Sequence, residues 1–518
     1  VVDGTGARAY RADVGVRAGR IAAIGDLAGA PAGERLDVAG RVVCPGFIDM
    51  HTHSDLSLFV CPTGDSKVYQ GVTTEVVGNC GFSPAPLLDA TAATVRSLHG
   101  FFGDFVQRLG WDWRSYGEFA AALGQGGLGL HVAPLVGHVT LRATVMEYAQ
   151  RPPTDAELTR MRRLAREAMR DGCFGMSTGL VYPPGVYADT EELVEIARVV
   201  AEAGGFYASH IRGEGYSLLR AVAEAHEIGE RAGLPVQISH HKASFRPYWG
   251  RLRHALRLSE WARERGQEVG FDVYPYTAGS APLTQIVPDW AHEGGLPALV
   301  ARLRAPETRA RLAREIADQG REWDQTLVAW LPDGPGKADE GRSVADIAGR
   351  RATDPITALL AVLEESQGRA TMVHFVMAED DVRTAMRHPL AMFGSDGWVS
   401  TTTGPLAEGK PHPRSYGTYP RVLGHYVREV KLFGLEEAVH KAAYRPAERL
   451  GLREKGRVQV GADADLVVFD PATVRDEATY TDPHRFPAGI EHVWVAGEPT
   501  IRNGRHTGAR AGRVLRRS

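Results

Sequence analysis

The sequence predicts an α/β protein: a parallel (β/α)8, TIM-like barrel with an inserted helical lobe, joined to a small β-sandwich built from both ends of the chain. Three observations lead there. The middle of the 518-residue chain alternates apolar β-like runs with amphipathic helical stretches, the rhythm of parallel βαβ units. The first 45 and last 60 residues alternate short β-like runs with turns instead. Residues 280–350, rich in Arg, Glu, Ala and Pro, break the rhythm. The expected division is a β domain from 1–44 and 447–518, a barrel over 45–446, and the lobe at 280–350 within it.

Taken in order, residues 15–25 (GVRAGRIAAIG) read as a hairpin with glycine at its turn. Candidate barrel strands follow at 42–53, 73–79, 130–137, 173–179, 206–211, 235–241, 268–276, 371–376 and 391–395. Helical stretches such as 154–171, 190–203, 215–232 and 251–265 lie between them. A barrel has eight places for these nine candidates, so one is an insertion strand or no strand at all. Residues 461–470 and 492–497 return to the β texture of the start.

Composition narrows the function. A hydrophobic fraction of 43% and a charged fraction of 24% are those of an ordinary globular protein and exclude disorder as the main state. A formal charge of −3 argues against nucleic acid as a partner, and no apolar run reaches the ~18 residues of a membrane helix. The four cysteines, Cys44, Cys61, Cys80 and Cys173, are too few and too scattered for a disulfide scaffold or a CxxC zinc knuckle. They point to a reducing, cytoplasmic compartment. The basic residues are almost all Arg, with only seven Lys. The chain opens on Val1-Val2-Asp3-Gly4 without Met, which reads as a truncated start, and no signal peptide is visible.

The chemistry lies at strand ends. The apolar run 41–50 ends in His51-Thr52-His53. Residues i and i+2 of a strand share a face, so both imidazoles can grip one metal ion. Alone, the pair reads equally well as two polar residues closing a strand. But Phe206–His210 and Pro235–His240 are also apolar runs ending in His, and Phe393-Gly394-Ser395-Asp396 ends in Asp. Shared placement at the C-terminal ends of different strands is what a barrel metal site requires.

These segments resemble the amidohydrolase superfamily, which carries HxH on strand 1, His on strands 5 and 6, and Asp on strand 8. Within it, Gly78-Asn79-Cys80-Gly81 and Ser239-His240-His241-Lys242 are similar to the N-acyl-D-amino-acid deacylases (D-aminoacylases). The resemblance runs essentially end to end. It implies a metal-dependent hydrolase barrel with one tight zinc site at Cys80, His210 and His240, and a second, weaker site at His51 and His53. It implies Asp396 as general base, and Lys242, Tyr274 (over Tyr276) and Arg414 as the grip on a substrate carboxylate. Without its motif, Cys80 would read as a buried structural thiol, Asp396 as a turn residue and Arg414 as a solvated charge. The loop from Asp396 to Arg414 is longer than the family's usual one, which puts Arg414's reach in question.

The implied reaction is hydrolysis of the amide of an N-acyl-D-amino acid, a small-molecule substrate, to a carboxylate and a free D-amino acid. Acidic-specific relatives place an Arg soon after the Tyr-Pro-Tyr motif; here residues 277–290 hold no Arg or Lys. With Leu283, Ile286 and Trp290 offering apolar surface there, neutral and hydrophobic side chains are expected. A cyclic-amide hydrolase (hydantoinase or dihydroorotase type) is the alternative activity, against which Cys80 and the Ser-His-His-Lys motif speak. A non-catalytic scaffold on the same fold is the other, against which the complete ligand set speaks. Two motif matches are discounted. Gly175–Gly179 fits G-x-S-x-G, but Pro183-Pro184 follows, where a nucleophile elbow needs a helix. Gly124–Gly129 fits G-x-G-x-x-G but precedes a strand instead of following one.

Overall fold

The computed structural model of the chain describes residues 1–517. Its centre is a sheet of eight parallel strands in sequence order: β1 (Phe47–Asp49), β2 (Val72–Val77), β3 (His131–Gly137), β4 (Gly175–Gly179), β5 (Phe206–His210), β6 (Val236–Ile238), β7 (Val269–Val273) and β8 (Ala391–Phe393). The sheet closes on itself, because the Met50 N–H donates to the Phe393 carbonyl at 3.3 Å and the Asp396 N–H to the His51 carbonyl at 2.7 Å. The helices between strands have local causes. Thr154 and Glu157 form a capping box at the start of Asp155–Arg170, and Asp189 caps Thr190–Glu202. Gly233, left-handed at φ 75°, stops Leu218–Ala232.

The barrel's floor is apolar. Ile48, Met50, Ala133, Leu135, Phe206 and Met392 form one buried cluster, closed from below by Leu450 and Leu515. The C-terminal tail is pinned there by hydrogen bonds from the Val132 N–H to Arg513 and from the Leu515 N–H to Val132. The site forms at the other end, above this greasy base.

The segment 42–53 divides in two. Val42–Pro45 pairs antiparallel with Leu466–Phe469 in a five-stranded sheet completed by 490–495, 498–502 and 505–506. The hairpin of 13–17 and 20–25 packs on that sheet through Ile21, against Leu466 and Trp494. The chain crosses into the barrel at Gly46, where a Cβ would stand 2.1 Å from the Thr73 hydroxyl. The surplus strand is 371–376: Thr371–Phe375 is the centre of a separate antiparallel sheet with Ala278–Pro282 and Thr326–Trp330. An apolar run of that length does not say which sheet it joins. The inserted lobe is therefore not purely helical, and its elements run past the 280–350 window on both sides. Among the described residues no helix is long and apolar enough to cross a membrane.

A buried ion pair ties the small sheet to the barrel. Lys455 donates to Asp465 and lies 2.9 Å from Asp463, and the other Asp465 oxygen accepts from the Ala496 N–H and faces His131 at the start of β3. Burial opposes the Asp465 charge, but Lys455 and His131 hold its carboxyl well below the ordinary range. Lys455→Met leaves that charge buried without its cation. Denaturant unfolding should then show a loss of about 3–5 kcal/mol, and a loss under about 1 kcal/mol would make the pair dispensable.

Candidate metal centre and substrate cavity

The sequence-predicted ligands converge at the C-terminal mouth of the barrel. Cys80 follows β2 in a tight turn whose geometry explains the Gly-Asn-Cys-Gly motif. Gly78 has φ 77°, and a Cβ there would lie 2.1 Å from the Leu135 carbonyl. The Asn79 amide donates to the Val76 carbonyl at 2.9 Å. Ser177, the serine of the discounted G-x-S-x-G, donates to Gly78 and accepts from the Gly81 N–H, so it holds this turn. Cys80, His240 and Asp396 all have left-handed backbones, with φ of 53°, 34° and 53°. Such conformations cost about 1–3 kcal/mol each and persist only where the surroundings over-determine them.

The Cys80 Sγ lies 3.7 Å from His210 Nδ1, 3.5 Å from His240 Nε2 and 3.2 Å from His51 Nε2. A tetrahedral zinc with bonds of about 2.3 Å to sulfur and 2.05 Å to nitrogen separates those atoms by about 3.6 Å. The pairs to His210 and His240 bracket that separation, so the residues fit the ion. The expected second pair is not set apart: ligand atoms of His51, Cys80, His240 and Asp396 all lie within 4.8 Å of one another. His53 Nε2 is 3.1 Å from Asp396 Oδ1. Burial pushes the Cys80 thiol up, but His51 and His240 outweigh it and hold the thiol well below its ordinary value. Burial likewise opposes the Asp396 charge, and Arg414 and His240 hold the carboxyl well below its usual range.

Arg414 reaches the site. Its Nη1 is 2.8 Å from Asp396 Oδ2, and its guanidinium lies over the Tyr274 ring at 4.8 Å. The long loop is docked on the lobe by the Lys410 N–H, which donates to Ala329, and by His412, 2.9 Å from the Ala278 carbonyl. The Lys242 ammonium faces the same ring at 5.8 Å. Tyr276 instead stacks under Arg421, away from the ligands.

Two carboxylates here escape sequence reasoning. Asp272 on β7 accepts the His240 N–H at 2.7 Å and sits 3.0 Å from His51 Nδ1. Glu214 holds Lys242 at 2.6 Å and lies 3.2 Å from His240 Nδ1. Both orient imidazoles from behind. The available signals were an acid inside the apolar run of β7 and an acid four residues beyond His210.

Above these side chains is a small cavity, with about 30 Å³ of space. Its apolar walls are mainly Phe82, Phe101, Phe102, Tyr182 and Trp398, with Ala281 and Pro282 from the lobe. Leu283 and Ile286 do not reach it. They are buried in the lobe's own core, and Trp290 packs against that core with its indole N–H on Glu315. Arg414 is the only Arg or Lys among the residues lining the cavity, where His53 is the other basic side chain. Arg212 is held by Glu224, and Arg246 is exposed beside Glu322.

Comparison with known proteins agrees with this geometry. Residues 34–501 match the model of the amidohydrolase family. The chain is 41% identical to a D-aminoacylase of Alcaligenes xylosoxydans xylosoxydans, covering all of this chain and 96% of the relative. It is 40% identical to an N-acyl-D-glutamate deacylase of the same organism, over 100% and 95%. The crystal structure of N-acyl-D-glutamate deacylase from Bordetella bronchiseptica, complexed with zinc and a phosphonate inhibitor, superposes with a TM-score of 0.84 at 38% identity, covering 100% of this chain and 98% of that one. With its strand-end histidines and a match spanning most of its length, this chain belongs to the amidohydrolase family.

Proposed function

We propose that this protein hydrolyses the amide bond of N-acyl-D-amino acids, with zinc held by Cys80, His210 and His240 and a weaker site at His51 and His53. The observation that carries this reading is the cluster of Lys242, Tyr274 and Arg414 beside the ligands. It offers a free α-carboxylate two cations, Arg414 shared with Asp396 and Lys242 shared with Glu214, and the partnerless hydroxyl of Tyr274. A hydantoin-type ring has no such carboxylate, which disfavours the cyclic-amide alternative. The unpaired state of all four cysteines supports the cytoplasmic setting.

Zinc, when bound, supplies a Lewis acid that polarises the acyl carbonyl and acidifies water. The residues do the rest. Arg414 and Lys242 fix the substrate's carboxylate, and with it the handedness at Cα. Asp396 takes a proton from the attacking water and delivers it to the leaving nitrogen, so water and amide become carboxylate and amine. Arg414 already binds an anion, Asp396, so a substrate carboxylate competes for it. The side-chain preference follows from the cavity wall. One named relative is an N-acyl-D-glutamate deacylase, but here, with Arg414 engaged by the α-carboxylate, a second carboxylate would find no further Arg or Lys along the wall and would be desolvated at a cost of several kcal/mol.

Three outcomes test this. Elemental analysis of Cys80→Ala should show most of the zinc lost, since a three-residue site cannot spare its thiolate; wild-type content would remove Cys80 from the site. Asp396→Asn should keep its metal and lose about 10²–10⁴-fold in kcat, whereas Arg414→Ala should act mainly on KM, raising it about 10- to 100-fold. Near-normal kcat in the first or unchanged KM in the second would reassign that residue. Finally, kcat/KM should be higher for N-acetyl-D-Leu and N-acetyl-D-Phe than for N-acetyl-D-Glu; the reverse order would contradict the reading of the wall.

A further inference from the structure

Beneath the ligands, at the seam where the barrel closes, lies a buried charge cluster with no part in binding metal or substrate. Lys67, in the short helix Asp65–Val68 between β1 and β2, is fully buried, as are Asp49 on β1 and Glu75 on β2. Its ammonium donates to Asp49 Oδ2 at 2.9 Å and to the Ser395 hydroxyl at 2.6 Å, and lies 3.2 Å from Glu75 Oε1. Three donors thus meet three acceptors, which saturates an ammonium. In a chain whose basic residues are almost all Arg, a lysine here suits the space: a compact point charge fits where a planar fork does not.

The cluster leads directly to Asp396. Asp49 Oδ1 accepts the Ser395 N–H at 2.7 Å, and the Ser395 hydroxyl accepts the Gly397 N–H at 3.1 Å. These bonds grip the residues on either side of Asp396, whose backbone is in the left-handed region at φ 53°. The strands themselves give this seam little, since β1 and β8 have only three residues each. Glu75 extends the network to Ser54, whose hydroxyl accepts from the Val399 N–H at 2.9 Å just beyond the same turn.

We propose that Lys67 is a positioning residue for hydrolysis: clasped by Asp49, Glu75 and Ser395, it fixes the turn 395–397 and so aims the Asp396 carboxylate. This rests on the reading of Asp396 as the proton carrier. A purely structural role would lower the amount of folded or zinc-loaded enzyme and leave turnover per loaded site alone.

Two variants separate the roles. Ser395→Ala removes the hydroxyl that joins Lys67 to the Gly397 N–H, keeps the Ser395 N–H on Asp49 and leaves Lys67 paired with both acids. The double variant Lys67→Met with Glu75→Gln removes the clasp by taking out its cation and one of its two acids together. With N-acetyl-D-Leu as substrate, kcat per bound zinc should fall about 10- to 100-fold in each while KM stays within about twofold, since a small misplacement of a reacting group is worth that much. Zinc content should match wild type. Unchanged kcat per zinc in both variants, with an active wild-type enzyme, would overturn the role of Lys67 alone. A wild-type enzyme inactive on N-acetyl-D-amino acids would overturn the proposed reaction and this inference with it.

Discussion

The organisation of the barrel's mouth depends on keeping charge on buried groups. Cys80 and Asp396 are almost wholly removed from water, and desolvation alone would neutralise both. Each is held in its anionic direction by cations brought from other elements: His51 and His240 around the thiol, Arg414 and His240 around the carboxyl. The imidazoles are in turn backed by anions, Asp272 behind His51 and Glu214 behind His240. The result is an alternating lattice of opposite charges, built from the ends of strands β1, β2, β5, β6, β7 and β8. Removing one member exposes its neighbours to the full penalty of burial.

That lattice explains the backbone around it. Three residues in the left-handed region, Cys80, His240 and Asp396, carry side chains of the centre. Their strain is offset by specific bonds: Ser177 on the Cys80 turn, Asp272 on the His240 N–H, and Asp49 with Lys67 on the turn of Asp396. The apolar floor of the barrel and the tail beneath it keep this polar layer confined to one end.

Much of this was legible in the sequence, for a definable reason. His51, His53, His210, His240 and Asp396 each end an apolar run, so strand periodicity and barrel geometry place them together without any tertiary information. Gly78 and Gly81 mark the turn that presents Cys80. Asp272, Glu214 and Lys67 carry no such signature, since their roles come from what lies opposite them in space. The same limit hid the cavity wall. Leu283, Ile286 and Trp290 are apolar and follow the right strand, but the lobe has a core of its own to fill and uses them there. Phe101 and Phe102, from the long segment after β2, form the wall instead. The reach of Arg414 could not be read from loop length, because the loop is anchored midway on the lobe, at Ala329 and Ala278.

The central claim is that a sulfur from Cys80 belongs to the tight metal site of a centre otherwise made of imidazoles and carboxylates. X-ray absorption at the zinc edge, on protein loaded with one equivalent of zinc, tests it most directly. The account predicts one sulfur scatterer at about 2.3 Å together with nitrogen or oxygen neighbours at about 2.0–2.2 Å. A first shell of nitrogen and oxygen alone would contradict it.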